Sequence, residues 1–451
     1  MFDPLLTQRV DAIRRLARRG ATPALAKIIA KSRAEDVAAV MDRLSAHDQR
    51  LVFQQIKVDA VAADVLTHLG PEEFKGLIAD LPIERLSTLF AEMEVDDQTD
   101  LLELLPDEQR SAVLERIKGE EREQVEELLG YASDTAGGIM SPLAFRLQAD
   151  TTCRDAIAAV QAASDHELIY YAYVENEERQ LVGVISLRNL LTHPPSMRLS
   201  EIMTADVIMV RPEMDQEEVA RIAGRYDLLA VPVVDEARHL LGIVTVDDVI
   251  DVIREEAGED MLLMAGVSEG ATEASRMSRW EAVTRRLPWL LVTMGGGFVI
   301  SEIISQFSGV LTTELVLAGF IPIVTGMEGN VGIQSATVTV RNIALGRMDG
   351  NIRRTVVAEG LNGLSLGVIF GLCTGAYCLL RHGDVRIAAS VSTAILCGMT
   401  AATLAGTLVP LTLRRFGIDP AIATGPFVTT AMDGLGLTIY LSIATFLLST
   451  G

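Results

Sequence analysis

Three rhythms of apolar and polar positions divide the chain. From Met1 to Tyr131 apolar residues recur at helical spacing in short amphipathic pieces, such as EEFKGLIADL (72–81) and DEQRSAVLERI (107–117). Gly70-Pro71, Leu81-Pro82 and Leu105-Pro106 punctuate them. Proline suits the first turn of a helix, which has no internal use for that N–H. Short helices joined by tight turns predict a curved all-α solenoid. From Ala136 to Glu256 short apolar strands alternate with helices, and one pattern occurs twice. LVGVISLRNLL (181–191) matches LLGIVTVDDVI (240–250), and GGIMSP (137–142) echoes SEIMTA (200–205). Each copy predicts a short strand (Phe145–Leu147; Val207–Val210) and a helix (Cys153–Ala163; Gln216–Tyr226). Two strands follow (Ile169–Val174 and Leu181–Ser186; Leu229–Val234 and Leu240–Thr245), then another helix. Thr152 and Asp215 stand where N-caps belong.

The third rhythm is long and apolar. A helical connector reads without interruption from Val249 to Arg286, and the runs Leu287–Ile304, Leu315–Leu345, Thr355–Leu380, Ile387–Leu411 and Ala421–Leu448 follow. The second of these, 31 residues long, would reach about 46 Å as a straight helix, against a hydrocarbon core of about 30 Å. Pro322, Gly326, Gly329 and Gly332 interrupt its middle, so it reads as a broken helix or as two short spans. A single span keeps Arg285, Arg286, Arg347, Arg353, Arg354, Arg414 and Arg415 on one side. The positive-inside rule therefore selects five spans, with the N-terminus cytoplasmic and the C-terminus outside.

Charge separates the same halves. Residues 1–285 carry 30 basic and 53 acidic residues, whereas Arg286 to Gly451 holds nine Arg against eight acids. The acidic surplus disfavours nucleic acid and favours cations. Cys153, Cys373, Cys378 and Cys397 form no CxxC pair and read as buried small residues. The N-terminus lacks the apolar core of a signal peptide. The acids Glu94, Asp96, Asp97 and Asp100 read as a solvated helix face.

Asp433 is the one ionisable residue in the last apolar run. A carboxylate at that depth costs roughly 2.5–3.5 kcal/mol on insertion scales. It reads either as the wall of a cation path or as a hydrogen-bonded group packing helices. Irregular backbone at membrane depth survives only where protein buries it or water lines it. Glu328, Asn330 and Gln334, within the glycine-interrupted run, are thus further lining candidates, beside Gly425 and Thr429 on the last run. Asp419 precedes that run and also suits a helix N-terminus. Glu255, Glu256, Glu259 and Asp260 cluster just before the membrane. No nucleophile triad, metal cage or phosphate loop stands out, so an enzyme is disfavoured.

The repeated unit resembles a tandem pair of CBS domains. Its Ser/Thr-x-x-Asp/Asn turn is Ser186-Leu187-Arg188-Asn189 in the first copy and Thr245-Val246-Asp247-Asp248 in the second. By that resemblance Tyr171, Arg188 and Asn189 are candidates to hold an adenine nucleotide such as ATP. The whole chain resembles the MgtE family of magnesium transporters. The stretches that carry the likeness are YASDTAGGIM (131–140), PIVTGMEGNVGIQSATVTVRNIALG (322–346) and DPAIATGPFVTTAMDGLGLTIYLSIA (419–444). The resemblance implies a homodimer in a bacterial inner membrane. Its order would be a helical N-domain (1–131), two CBS domains (132–198 and 199–252), an acidic plug helix (253–286) and five membrane helices (287–451).

It further implies that Asp433 binds hydrated, transported Mg²⁺. Glu217, Asp248, Asp251, Glu256, Glu259, Asp260 and Asp419 would be the regulatory and gating acids. The alternatives are passage of Co²⁺, Mn²⁺ or Ni²⁺, or a CBS-bearing membrane sensor without conduction. The chain departs from the family's usual residues at Glu328 (usually Gly), Ile333 (usually Asn) and Gly425 (often Asn).

Overall fold

The computed structural model describes residues 4–19, 21–117, 119–163, 169–267, 279–345, 347–348 and 352–449. It divides into two compact units, Met1–Ile253 and Arg254–Gly451.

The first unit opens with ten short helices: α1 (Pro4–Arg18), α2 (Thr22–Ile29), α3 (Ala34–Met41), α4 (Ala46–Phe53), α5 (Asp59–Thr67), α6 (Pro71–Ile78), α7 (Ile83–Phe90), α8 (Val95–Glu103), α9 (Asp107–Leu114) and α10 (Glu120–Leu128). Helices two apart pack together along the row α1, α3, α5, α7, α9, and α2, α4 and α6 do the same. That is the solenoid the amphipathic rhythm predicts. Pro71 opens α6 as its first residue, whereas Pro82 and Pro106 sit one position earlier, as N-caps. Met41, Leu66, Phe74, Phe90 and Leu102 are fully buried along the stack's interior.

The repeat follows as β1 (Arg146–Gln148), α11 (Cys153–Ala162), β2 (Tyr171–Glu175), β3 (Leu181–Ser186), α12 (Leu187–Thr192), α13 (Leu199–Ile202), α14 (Gln216–Tyr226), β4 (Ala230–Val234), β5 (Leu240–Thr245) and α15 (Val246–Met264). Its two halves agree down to register. Tyr171 pairs with Ser186 and Val174 with Gly183, and the pairing shifts at Val174/Glu175. Ala230 pairs with Thr245 and Val233 with Gly242, and the pairing shifts at Val233/Val234. Thr152 and Asp215 cap α11 and α14 through their side chains. The strand expected at Val207–Val210 does not form. Val210 alone bridges to Val233, and Pro212, which has no N–H, cannot carry the pairing further.

The second unit begins inside α15. The connector does not run on as one helix: α15 stops at Met264, and Gly266, with φ 68°, caps it in the left-handed region. Residues 268–278 of the connector lie outside the described residues. Then come α16 (Arg279–Gln306), α17 (Ser308–Thr313), α18 (Val316–Ala344), α19 (Ile352–His382), α20 (Val385–Arg415), a 3-10 turn (Pro420–Thr424) and α21 (Pro426–Ser449). Five of these helices are long and apolar enough to cross a membrane, which makes this a membrane protein.

The broken helix expected at Leu315–Leu345 is instead the continuous α18, with Pro322 inside it. Two of its glycines serve packing, not breakage, while Gly326 meets no neighbour. Gly329 and Gly332 let α21 and the backbone of α20 come close. The last run is divided where it read as one span, because Gly425 is extended and Pro426 restarts the helix. Cys153 and Cys378 are buried, but Cys373 and Cys397 are exposed on the membrane helices, against the expectation of four buried thiols.

Candidate functional site

Gly425, Thr429 and Asp433 recur every four residues at the start of and along α21, and so share one face. Thr429 donates to the Gly425 carbonyl at 3.5 Å. Asp433 is half-buried. α18 meets it at Gly329, where an added methyl would lie 3.1 Å from Asp433 Oδ1. The carboxylate therefore sits at a contact between two helices.

The three lining candidates on α18 do not share a face. Asn330 and Gln334 are exposed one turn apart, while Glu328 is fully buried on the other side. Its oxygens fill the space that side chains on Gly398 of α20 and Gly436 of α21 would occupy. Neither oxygen accepts a hydrogen bond from a described residue. Sequence reasoning missed Glu359 on α19. Ser335 donates to its Oε2 at 2.9 Å and Asn362 to its Oε1 at 3.2 Å. These groups, with Gln334 and Thr403, line a cavity of about 400 Å³. Glu359 is the lone acid of the Thr355–Leu380 run, the same signal that singled out Asp433.

The acids that the resemblance singles out for regulation and gating fall into two places. Within the second unit, Glu256, Glu259 and Asp260 lie half-buried near the end of α15. Burial, with the charges of Asp419 and Glu256 behind it, pushes Asp260 up to about 6. Asp419 caps the 3-10 turn, accepting from the Ala421 N–H at 2.8 Å. Leu263 and Met264 pack there on Ala421, Ile422 and Val340. A methyl on Gly425 would lie 3.1 Å from the Leu263 carbonyl, so the glycine lets α15 end against the foot of α21.

Within the first unit, Glu217 and Asp251 are exposed. Asp248 accepts from the Thr245 hydroxyl at 2.6 Å. Burial, then the charges of Asp96 and Asp247, push it up to about 7. Of the α8 acids, Asp100 is exposed, as the sequence suggested, whereas Asp96 and Asp97 are half-buried. Asp96 buries an oxygen that finds no donor. Burial, with Asp96 beside it, pushes Asp97 up to about 7. Helix packing turns these acids inward, toward Asp247 and Asp248. Among the described residues no three His, Cys, Asp or Glu side chains come close enough to chelate a metal ion.

The nucleotide candidates lie at one end of the first sheet. Tyr171 pairs across the ladder with Ser186, whose hydroxyl caps α12 at Asn189, and Arg188 is exposed between them.

Three family descriptions match segments of this chain in order. They are the MgtE intracellular N domain at residues 32–134, the CBS domain at 199–255, and the MgtE divalent cation transporter domain at 321–443. The magnesium transporter MgtE of Thermus thermophilus is 36% identical over 438 residues, covering 95% of this chain and 96% of that one. The chain belongs to the MgtE family. MgtE of Bacillus subtilis is 34% identical over 424 residues, covering 91% and 93%.

The solved cytosolic domain of the Mg²⁺ channel MgtE in complex with ATP superposes with a TM-score of 0.51 at 37% identity. It covers 54% of this chain and 99% of that one. The soluble part of a magnesium transporter superposes at 0.50 and 32% identity, covering 56% and 99%. Both have the fold of helical stack and CBS pair found here.

Proposed function

We propose that the chain moves Mg²⁺ across a bacterial inner membrane and that its own cytoplasmic acids close the path when internal Mg²⁺ is high. The observation that carries this reading is the place of Asp433. It is a carboxylate in the first third of the last membrane helix, held at the α18 contact and aligned with Thr429 and Gly425. Mg²⁺ sheds its first water shell reluctantly. A half-buried carboxylate, in a unit without a chelating group of three such side chains among the described residues, suits an ion held through its waters. Two copies of Asp433 across the axis of a homodimer would gather such an ion without trapping it.

Regulation follows from the acids that packing forces together. Asp260 beside Asp419 and Glu256, and Asp96 beside Asp97 and Asp248, repel when ionised. Divalent cations relieve that repulsion and shift the population toward the closed arrangement. In this arrangement the N-terminus is cytoplasmic and the C-terminus outside. The solved relative with ATP supports a nucleotide near Tyr171, Arg188 and Asn189 as a further regulator.

The test is growth of a Mg²⁺-uptake-deficient bacterial strain carrying the full chain. Wild type should restore growth at low Mg²⁺ and Asp433→Ala should not. An equally well expressed Asp433→Ala that restores growth would remove the assigned role.

A further inference from the structure

Glu328 is the most unusual side chain in the membrane unit. It is fully buried, and neither oxygen has a hydrogen-bond donor among the described residues. A buried carboxylate without a partner is costly, and protein interiors rarely retain one without use. Its surroundings are shaped to admit it. Gly398 on α20 and Gly436 on α21 leave open the space its two oxygens take, and a methyl on either would collide with the carboxylate. Gly436 stands one turn beyond Asp433 on α21, and Glu328 precedes Gly329, the residue that abuts Asp433. Both carboxylates therefore stand at the same contact of α18 with α21.

We propose that Glu328 is a second anionic group of the Asp433 site, a direct ligand for a partly dehydrated divalent cation such as Mn²⁺, which widens the ions accepted beyond hydrated Mg²⁺. This rests on Asp433 being the ion site. The chemistry separates the two carboxylates. Asp433 is half-buried at a helix contact and can address an ion through water. Glu328 is pressed between two helix backbones, with no room for a full water shell, so an ion that meets it must give up waters. Mg²⁺ resists that loss, while Mn²⁺ accepts carboxylate oxygen directly and yields its waters more readily.

The experiment measures initial Mn²⁺ and Mg²⁺ uptake by the full chain in liposomes, for wild type, Glu328→Gln and Glu328→Gly. The Mn²⁺:Mg²⁺ ratio should fall about tenfold in both variants while Mg²⁺ uptake continues. A ratio within about twofold of wild type in Glu328→Gln overturns the proposal, and so does a fall seen only in Glu328→Gly, which would show a packing role. Loss of both fluxes in a folded Glu328→Gln also counts against it. Should that variant not fold, Glu328→Asp, which keeps the charge but withdraws it from the Gly398–Gly436 gap, must show the same fall. Wild type that carries Mg²⁺ and not Mn²⁺ overturns this inference alone. Wild type that carries neither overturns the function on which it rests.

Discussion

Asp260, Glu256 and Asp419 show how packing sets the charge of a single residue. Burial and the two neighbouring charges hold the Asp260 carboxyl near 6. At neutral pH the group is therefore largely ionised and repelled, and a cation nearby relieves the strain. Neutralising Glu256, Glu259 and Asp260 together to Gln, Gln and Asn should remove the need for that cation as a closing signal. Uptake at high internal Mg²⁺ should then rise several-fold toward the open rate, read by a fluorescent Mg²⁺ indicator in liposomes. Normal shut-off in this triple variant would refute the acids' part in closure. Glu359 makes the complementary point. Its two hydrogen bonds satisfy a carboxylate inside a membrane helix, so an intramembrane acid is not by that fact alone an ion ligand.

At the scale of elements, small residues decide how closely the membrane helices approach. Along α19, Gly363, Gly367, Gly371 and Gly375 are buried on the face that meets α20. A methyl on Gly371 would lie 2.7 Å from the Ser392 carbonyl, and one on Gly367 2.9 Å from the Leu396 Cα. Those neighbours are backbone and cannot swing aside. Gly371→Leu should therefore cost about 1–3 kcal/mol or more through overpacking, read as a lower apparent Tm of the purified protein in detergent. Gly295, where an added methyl meets nothing, should tolerate Ala. The same logic explains α18: Gly329 and Gly332, which read as breaks in the sequence, are contact points in a continuous helix.

At the scale of the molecule, each compact unit gathers acids from distant stretches of chain. In the first unit α8 meets the acids that follow β5. Burial, with the charge of Asp96 near both, pushes Asp97 and Asp248 up from 3.8 to about 7. A raised carboxyl pKa favours the protonated folded form. The stability this contact lends is complete below about pH 4 and is lost as pH rises through about 7. Stripped of divalent cations, the full chain should show a higher apparent Tm near pH 6 than near pH 8. Millimolar Mg²⁺ at the higher pH should recover the lost Tm, and Asp97→Asn with Asp248→Asn should flatten the pH dependence. A pH-independent Tm in the wild type would show that these acids do not meet in solution.

The order of the elements was legible in the sequence because local periodicity carries it. The amphipathic pieces before Tyr131, the duplicated strand–helix unit and the apolar runs each report burial within a few residues. The repeat even foretold that the ladders would match at Gly183 and Gly242. The lone acid in an apolar run singled out Asp433 by the cost of placing it there. What no local pattern contains is which surface a side chain meets. The tertiary structure alone turned Asp96 and Asp97 inward, closed Gly398 and Gly436 around Glu328, joined Ser335 to Glu359, and made one helix of a run that its glycines appeared to interrupt. Burial and charge at those positions depend on residues tens to hundreds of places away, and only the packed chain brings them within reach.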